Sequence, residues 1–363
     1  MINIDQSQIK RILIFKLCCI GDIVMMTPSI NALRKKFADA EITIVVNSWV
    51  KDITGYLGDV DRVIISDALY EKSTIGKISG AFGLIRELRK HSFDMVLLGH
   101  RNNVFGLITK LSGIKYRLGF CGTKFLNFCE EFREDIHESQ RYLSVLKSIG
   151  IDNRDCIPEL KRKFTRQEIL SKAGIDPQNK VTGIFPFGGI NPGTDMNIKR
   201  WEFVKFLELV KRIEVEYKDV NVLFFEGSEQ SEKITDRNFG DNVKVLKIGT
   251  DLISSCDVML CNDTGAMHIA AAFGIPTLTI FGPTDPKLLA PLNPPGKNIH
   301  RIIRKNLECS PCYNTSNAID RNNGKYWQGN KFICHMKTHD CMKLITVDEV
   351  FYELSSMIEV ISR

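Results

Sequence analysis

The sequence predicts an α/β protein made of two doubly wound domains of similar size, and three observations predict it. Short β-branched runs alternate with helical stretches along the whole chain. Those runs are continuously apolar, as strands covered on both faces are. The pattern then restarts near the middle of the chain, and 363 residues exceed what one hydrophobic core usually serves. Such alternation implies parallel strands joined by right-handed crossovers.

In the first half, residues 11–16 (RILIFK) form a strand, 17–21 a loop and 23–37 a helix. Strands follow at 41–47 (EITIVVN), 62–66 (RVIIS) and 94–99 (DMVLLG), the last preceded by an amphipathic helix near 75–91. A helical stretch at 133–151 leads into the charged segment 152–180, punctuated by Pro158 and Pro177, which is the expected domain connection. The second half repeats the design. Strands are expected at 181–186, 220–225, 243–248, 257–261 and 277–281, with helices at 201–217, 266–273 and from about 347 onward.

Composition bounds the function. With 44% hydrophobic and 25% charged residues the chain reads as globular. Its apolar runs fall far short of the ~20 residues of a membrane-spanning helix. The N-terminus lacks the pattern of a secretory signal, so the expected location is cytoplasmic. In that reducing compartment eleven cysteines argue against a disulfide framework and for metal binding or burial. A net charge of +6 is met by a solvated surface; its clusters, Arg86, Arg89 and Lys90 and then Lys161, Arg162 and Lys163, also suit anionic headgroups or phosphorylated acceptors. Nothing points to nucleic acid.

Ligands of open α/β sheets bind beyond the carboxyl ends of the strands. There the richest segment is CNDTGAMH at 261–268, joining an apolar strand to an alanine-rich helix. Unsatisfied N–H groups and the helix dipole at such a start favour an anion, so Thr264 and Gly265 could cradle a diphosphate with His268 as a further donor. Read alone, the segment fits equally a helix capped by Asp263 or Thr264 with a core histidine. The next strand ends in FGPTDP, which adds a turn to the same rim.

Together these residues, NDTGAMHIAAAFGIPTLTIFGPTDP at 262–286, resemble the signature of the heptosyltransferase family, glycosyltransferase family 9. ILIFK at 12–16, IGDIV at 20–24, Thr27-Pro28, IKRW at 198–201 and FEGSE at 225–229 extend the resemblance over most of the chain. It implies the GT-B fold, two Rossmann-like doubly wound domains facing a central cleft. Here these would be an acceptor-side domain at 1–165 and a nucleotide-sugar domain with a cysteine-containing loop at 166–345. A terminal helix at 346–363 is expected to pack back on the first domain. The implied reaction is an inverting transfer of heptose from ADP-heptose to a lipopolysaccharide inner-core acceptor, with no cofactor, at the inner face of the inner membrane by peripheral contact; another sugar donor or a protein acceptor stays open within the family.

By resemblance Asp22 is the catalytic aspartate, the general base toward an acceptor hydroxyl; read alone, it would more often only cap the first helix. Lys199 resembles the donor-phosphate lysine, acting with Asp263, Thr264, Gly265 and His268, although a lysine before a helix is ordinarily a surface charge. Glu229 resembles the ribose-binding carboxylate. Thr194, in the glycine-rich approach to Lys199, could touch phosphate, and Lys16 matches a family position near the cleft but as a strand-ending lysine is commonly solvated.

A separate feature is Cys309-Ser310-Pro311-Cys312 followed by Cys334 and Cys341. Four thiolates suit structural zinc or iron, which some branches of the family carry there; the alternative is four unligated thiols. Cys18 and Cys19 read as pocket lining. Two other classes stay open: an oxidoreductase, disfavoured because LCCIG replaces the Gly-x-Gly-x-x-Gly turn, and a non-catalytic nucleotide-sugar binder.

Overall fold

The computed structural model of the chain describes residues 4, 6–70, 73–153, 155–191, 193–227, 234, 239–314, 317–318 and 320–361. It divides into two compact units, Met1–Lys161 and Arg162–Arg363.

The first unit runs β1 (Arg11–Phe15), α1 (Ile20–Met25), α2 (Thr27–Lys36), β2 (Glu41–Val46), α3 (Lys51–Thr54), β3 (Arg62–Ile65), α4 (Thr74–His91), β4 (Met95–Leu98), α5 (Asn103–Leu111), β5 (Tyr116–Phe120), β6 (Phe128–Glu130) and α6 (Glu138–Ser144). Its six strands lie parallel in the order β3-β2-β1-β4-β5-β6. The first strand therefore sits at the centre, and the order reverses between β1 and β4. Leu13, Phe15, Val96 and Leu98 of these central strands pack against Leu84 and Leu88 of α4 and Ile108 of α5. Each such buried side chain contributes about 1.5–3 kcal/mol.

In place of the single helix expected at 23–37 there are two, α1 and α2, broken at Met26. Pro28 lacks an amide proton and fits only a helix's first turn, so the chain restarts there. The helical stretch expected at 133–151 begins only at Glu138 and tightens into a 3-10 turn at Val145–Ile149, which Gly150 ends at φ +78°.

The expectation of free thiols fails at one pair. Cys121 and Cys129 are joined by a disulfide, because β5 and β6 are adjacent parallel strands that bring the two Cα atoms to 5.0 Å.

The second unit runs α7 (Arg166–Lys172), β7 (Lys180–Phe185), β8 (Ile190–Asn191), β9 (Thr194–Asp195), α8 (Phe203–Glu216), β10 (Val220–Glu226), β11 (Val243–Lys247), α9 (Thr250–Ser254), β12 (Val258–Asn262), α10 (Gly265–Ala272), β13 (Thr277–Ile280), α11 (Pro286–Leu289), β14 (His300–Ile303), β15 (Trp327–Gln328), β16 (Lys331–Phe332), α12 (Asp340–Lys343) and α13 (Val347–Ile361). Its parallel sheet has the order β11-β10-β7-β12-β13-β14, the same topology as the first with its reversal between β7 and β12. A small sheet, β15-β16-β9-β8, lies apart from it.

α7 falls inside the segment expected to be a connection. A capping box holds its start: Thr165 accepts from the Glu168 amide, and the Glu168 carboxylate accepts from the Thr165 amide. α13 packs along α8, with the Arg212 guanidinium 3.7 Å from the Phe351 ring centre and 2.6 Å from Asp348. Among the described residues no helix is long and apolar enough to cross a membrane.

Candidate functional site

In doubly wound sheets the crevice for ligands opens where the strand order reverses, beyond the carboxyl ends of the two central strands. The first unit places Lys16 and Asp22 there. Lys16 directly follows β1 and is buried, so the reading of a solvated strand-end lysine does not hold. Its ammonium has three donor protons and three partners: the Asp22 carboxylate at 2.8 Å, the Tyr142 hydroxyl at 3.0 Å and the Gly99 carbonyl at 3.1 Å. Burial alone would pull the lysine pKa down. Asp22, with Tyr142 beside it, outweighs that and holds it well above the ordinary value.

Asp22 lies in the first turn of α1 with a third of its side chain exposed. It does not cap the helix, since the N-cap is Cys19. The carboxylate is instead fixed by Lys16 at the positive end of the helix, open on one side to a reactant. Two residues beyond β4, His100 Nε2 accepts the Leu17 amide at 3.0 Å, which requires a neutral imidazole protonated on Nδ1. Burial, then the nearby Lys16 charge, keeps the His100 pKa well below its ordinary value. The sequence reading missed His100 and Tyr142, whose signal is only their place at strand and helix ends next to this crevice.

The loop between β1 and α1 also carries Cys18 and Cys19. A hydrogen bond from Cys19 lowers the Cys18 thiol to about 6 against the opposing effect of burial, aided by the Lys16 charge and the Tyr70 hydroxyl. Cys19 moves up correspondingly. The shift favours the thiolate form of Cys18.

The second unit repeats the arrangement at its own reversal. Asn262 ends β12 and ties the neighbouring segments together: its amide donates to the Pro186 carbonyl at 2.9 Å and accepts the Trp201 amide at 2.9 Å. The chain is thereby set so that Lys199 meets Asp263 at 2.7 Å, while the Thr284 hydroxyl donates to the same carboxylate at 2.7 Å. Asp263 is buried. Burial pushes its carboxyl up, but Lys199, then Thr284 and His268, hold it below the usual carboxylate range.

Thr264 is the N-cap of α10, yet its side chain makes no capping bond, and Asp263 is engaged elsewhere. The pure capping reading therefore fails. Gly265 is the one partly exposed residue between Cys261 and Ala270, in an otherwise buried run, so the start of α10 is accessible at its backbone. Against it lies Gly188, at φ +106°, where a Cβ would stand 2.3 Å from Thr264 Cγ2. The Gly188 carbonyl accepts from Arg200 at 2.7 Å. His268, one turn into α10, is buried and close enough for its charge to act on Asp263. This assembly of one ammonium, a helix N-terminus and a close-packed glycine loop suits a diphosphate.

Thr194 stands on β9 in the small sheet, where its hydroxyl accepts from Arg321 at 2.6 Å. Glu229 lies outside the described residues.

Of the four cysteines of the expected metal knuckle, Cys309, Cys312 and Cys334 lie within electrostatic reach of Cys341. Cys312 is pushed up to about 11 by burial and then by Cys334 and Cys309. Cys341 is pushed up to about 12 by burial and then by the other three. A Ser310 bond to the Gly282 carbonyl and a Cys312 bond to the Pro283 carbonyl fasten this loop to the turn after β13. The donor chemistry suits a soft cation, but among the described residues no group of three or more His, Cys, Asp or Glu is placed to hold one.

Comparison with known proteins bears on all of this. The description of glycosyltransferase family 9 (heptosyltransferase) matches residues 81–321. The chain belongs to glycosyltransferase family 9. As a member it is a transferase enzyme, similar to lipooligosaccharide heptosyltransferase 2 of Haemophilus influenzae, with 25% identity over 310 residues, 78% of this chain and 86% of that one. The structure resembles that of the E. coli ADP-heptose lps heptosyltransferase II, with a TM-score of 0.72 at 17% identity over 97% of this chain and 100% of that one. The family 9 fold, GT-B with two Rossmann-like domains, is thus the fold of this chain. It also resembles the iron-containing dodecameric glycosyltransferase TibC from enterotoxigenic E. coli, with a TM-score of 0.57 at 10% identity over 97% of this chain and 80% of that one.

Proposed function

We propose that this family 9 enzyme transfers L-glycero-D-manno-heptose from ADP-heptose to an inner-core, Kdo- or heptose-type acceptor of lipopolysaccharide, acting in the cytoplasm at the inner membrane surface. One observation carries the reading: in both sheets the family-matched charged residues stand at the strand-order reversal, Lys16 with Asp22 in one and Lys199 with Asp263 in the other.

In the proposed single displacement, Asp22 takes the proton of the acceptor hydroxyl as its oxygen bonds to the anomeric carbon and the bond from that carbon to phosphate breaks. One displacement inverts the anomeric configuration. Lys16 holds the Asp22 carboxylate in place. Charge developing on the leaving diphosphate is met by Lys199 and by the amides where Thr264 and Gly265 open α10, with His268 behind them. Asp263 positions Lys199. Glu229 and Thr194 are assigned to the ribose and phosphate by resemblance.

The test is a donor screen: purified protein is incubated with ADP-, UDP- and GDP-linked sugars and a deacylated inner-core acceptor, and nucleotide release and product anomer are measured. ADP-heptose should be turned over to the inverted product, and Asp22→Asn should lose at least about a hundredfold in kcat while retaining donor affinity. Unaltered turnover in Asp22→Asn would end the general-base assignment, and preference for another nucleotide would end the donor assignment.

A second reading concerns Cys309, Cys312, Cys334 and Cys341, whose thiols a bound soft cation would deprotonate and hold against the raised pKa of Cys312 and Cys341. Elemental analysis decides it: stoichiometric iron or zinc lost on Cys312→Ser supports a structural metal, and a metal-free wild type refutes it.

A further inference from the structure

The chain's positive charge is not spread evenly. Residues 73–125 hold nine Lys and Arg against two Asp and Glu, a balance of +7, whereas the whole chain carries +6. This segment supplies α4 and α5. On α4, Ile75, Ile78 and Phe82 recur at helical spacing and are 81%, 54% and 67% exposed. Val104, Leu107 and Leu111 repeat that spacing on α5 and are likewise exposed. Single exposed apolar residues are ordinary, but stripes on two neighbouring helices are not.

The two helices pack side by side, and Arg89 Nε of α4 donates to the Leu111 carbonyl of α5 at 2.9 Å, so their carboxyl ends coincide. Lys77, Arg86, Lys90, Arg101, Lys110 and Lys124 are exposed on and around them. Of the two acids, Glu87 offsets Lys90 by pairing with it, and Asp94 accepts the Lys10 and Arg11 amides. Both helices begin beyond the carboxyl edge of the first sheet, the edge that carries Asp22.

We propose that α4 and α5 form a docking face for an anionic lipid bilayer, with their apolar stripes entering the headgroup boundary and the surrounding cations contacting lipid phosphate. Charge complementarity favours this occupant. A second copy of the same face would set +7 against +7, and like charges brought together oppose association. Docking there would present the Asp22 edge to acceptors anchored in that bilayer. That consequence rests on the glycolipid-acceptor reading, whereas vesicle binding itself stands without it.

The experiment is co-sedimentation of the full chain with phosphatidylglycerol-containing and with purely phosphatidylcholine vesicles at low and high salt. Wild type should prefer the anionic vesicles by at least about tenfold and lose that preference in high salt. The pairs Ile78→Glu with Phe82→Glu, and Arg86→Glu with Lys90→Glu, should each cut binding by about tenfold or more. Both should still turn over a soluble, deacylated acceptor at the wild-type rate. Equal binding to neutral vesicles, undiminished binding by both variants, or a dimer that either variant dissociates would overturn the proposal. Turnover of the soluble acceptor without vesicle binding would sink this inference and leave the transferase reading intact; vesicle binding through this face with no heptose transfer would do the reverse.

Discussion

Replacing Lys199 by methionine removes the ammonium and keeps most of the aliphatic length. The Asp263 carboxylate, 4% exposed, would then retain the Thr284 hydroxyl but lose the Lys199 ammonium at 2.7 Å. Breaking a buried pair from one side costs roughly 3–5 kcal/mol, because a charge is left without compensation. Lys199 keeps some contact with solvent, which favours the lower end. About 3 kcal/mol corresponds to a melting shift of ~6–12 °C for a unit of this size.

The pH dependence distinguishes this cause from lost packing. In the wild type Asp263 has a lowered pKa, so its ionised form stabilises the fold above the unfolded value, and that contribution disappears only as pH falls through the folded one. Without Lys199 the dominant influence is burial, which raises the pKa. The variant's deficit should therefore be largest at pH 7.5 and shrink by pH 5.5 as Asp263 takes up a proton. Thermal unfolding of both proteins at the two pH values measures it. Adding Asp263→Asn should recover most of the loss. A deficit below about 1 kcal/mol, or one equal at both pH values, would refute the reasoning.

Gly188→Ala forces a Cβ into a left-handed backbone and against Thr264, so nucleotide affinity should fall at least about tenfold with roughly 1–3 kcal/mol of stability. Gly113→Ala, at φ +83° with open space around it, should leave nucleotide affinity unchanged, and equal effects of the two on binding would contradict the close-approach argument. Iodoacetamide should label Cys18 ahead of the buried Cys256 and Cys261, with a half-maximal rate near pH 6 that rises in Tyr70→Phe; peptide mapping that finds Cys256 labelled as fast would reject it.

The central strands were legible because parallel strands buried on both faces must be apolar throughout, as RILIF and VMLCN are. The edge strands β6 and β14 were missed, because three and four residues with a polar member (FCE, HRII) are too short a run to read, whereas β3 and β11 at the opposite edges were expected. α7 could have been read from Thr165 and Glu168, spaced as a capping box demands. At the candidate site, Lys199, Asp263 and the α10 start were visible as a motif, but the ion pair joining residues 64 apart was not. No local pattern reports a partner on another strand. For the same reason Lys16 looked like a surface charge: its burial depends on Tyr142 and Gly99, which only the folded sheet brings near.

Each six-stranded sheet is a separate open ladder, and no strand of one is hydrogen-bonded to a strand of the other among the described residues. Loops at the tips of one sheet can thus be exchanged without disturbing the register of its counterpart. If the second unit holds the donor sugar as proposed, chimeras joined near Lys161 and Arg162, with the latter half taken from a relative of different donor preference, should change sugar specificity while the first unit stays unaltered.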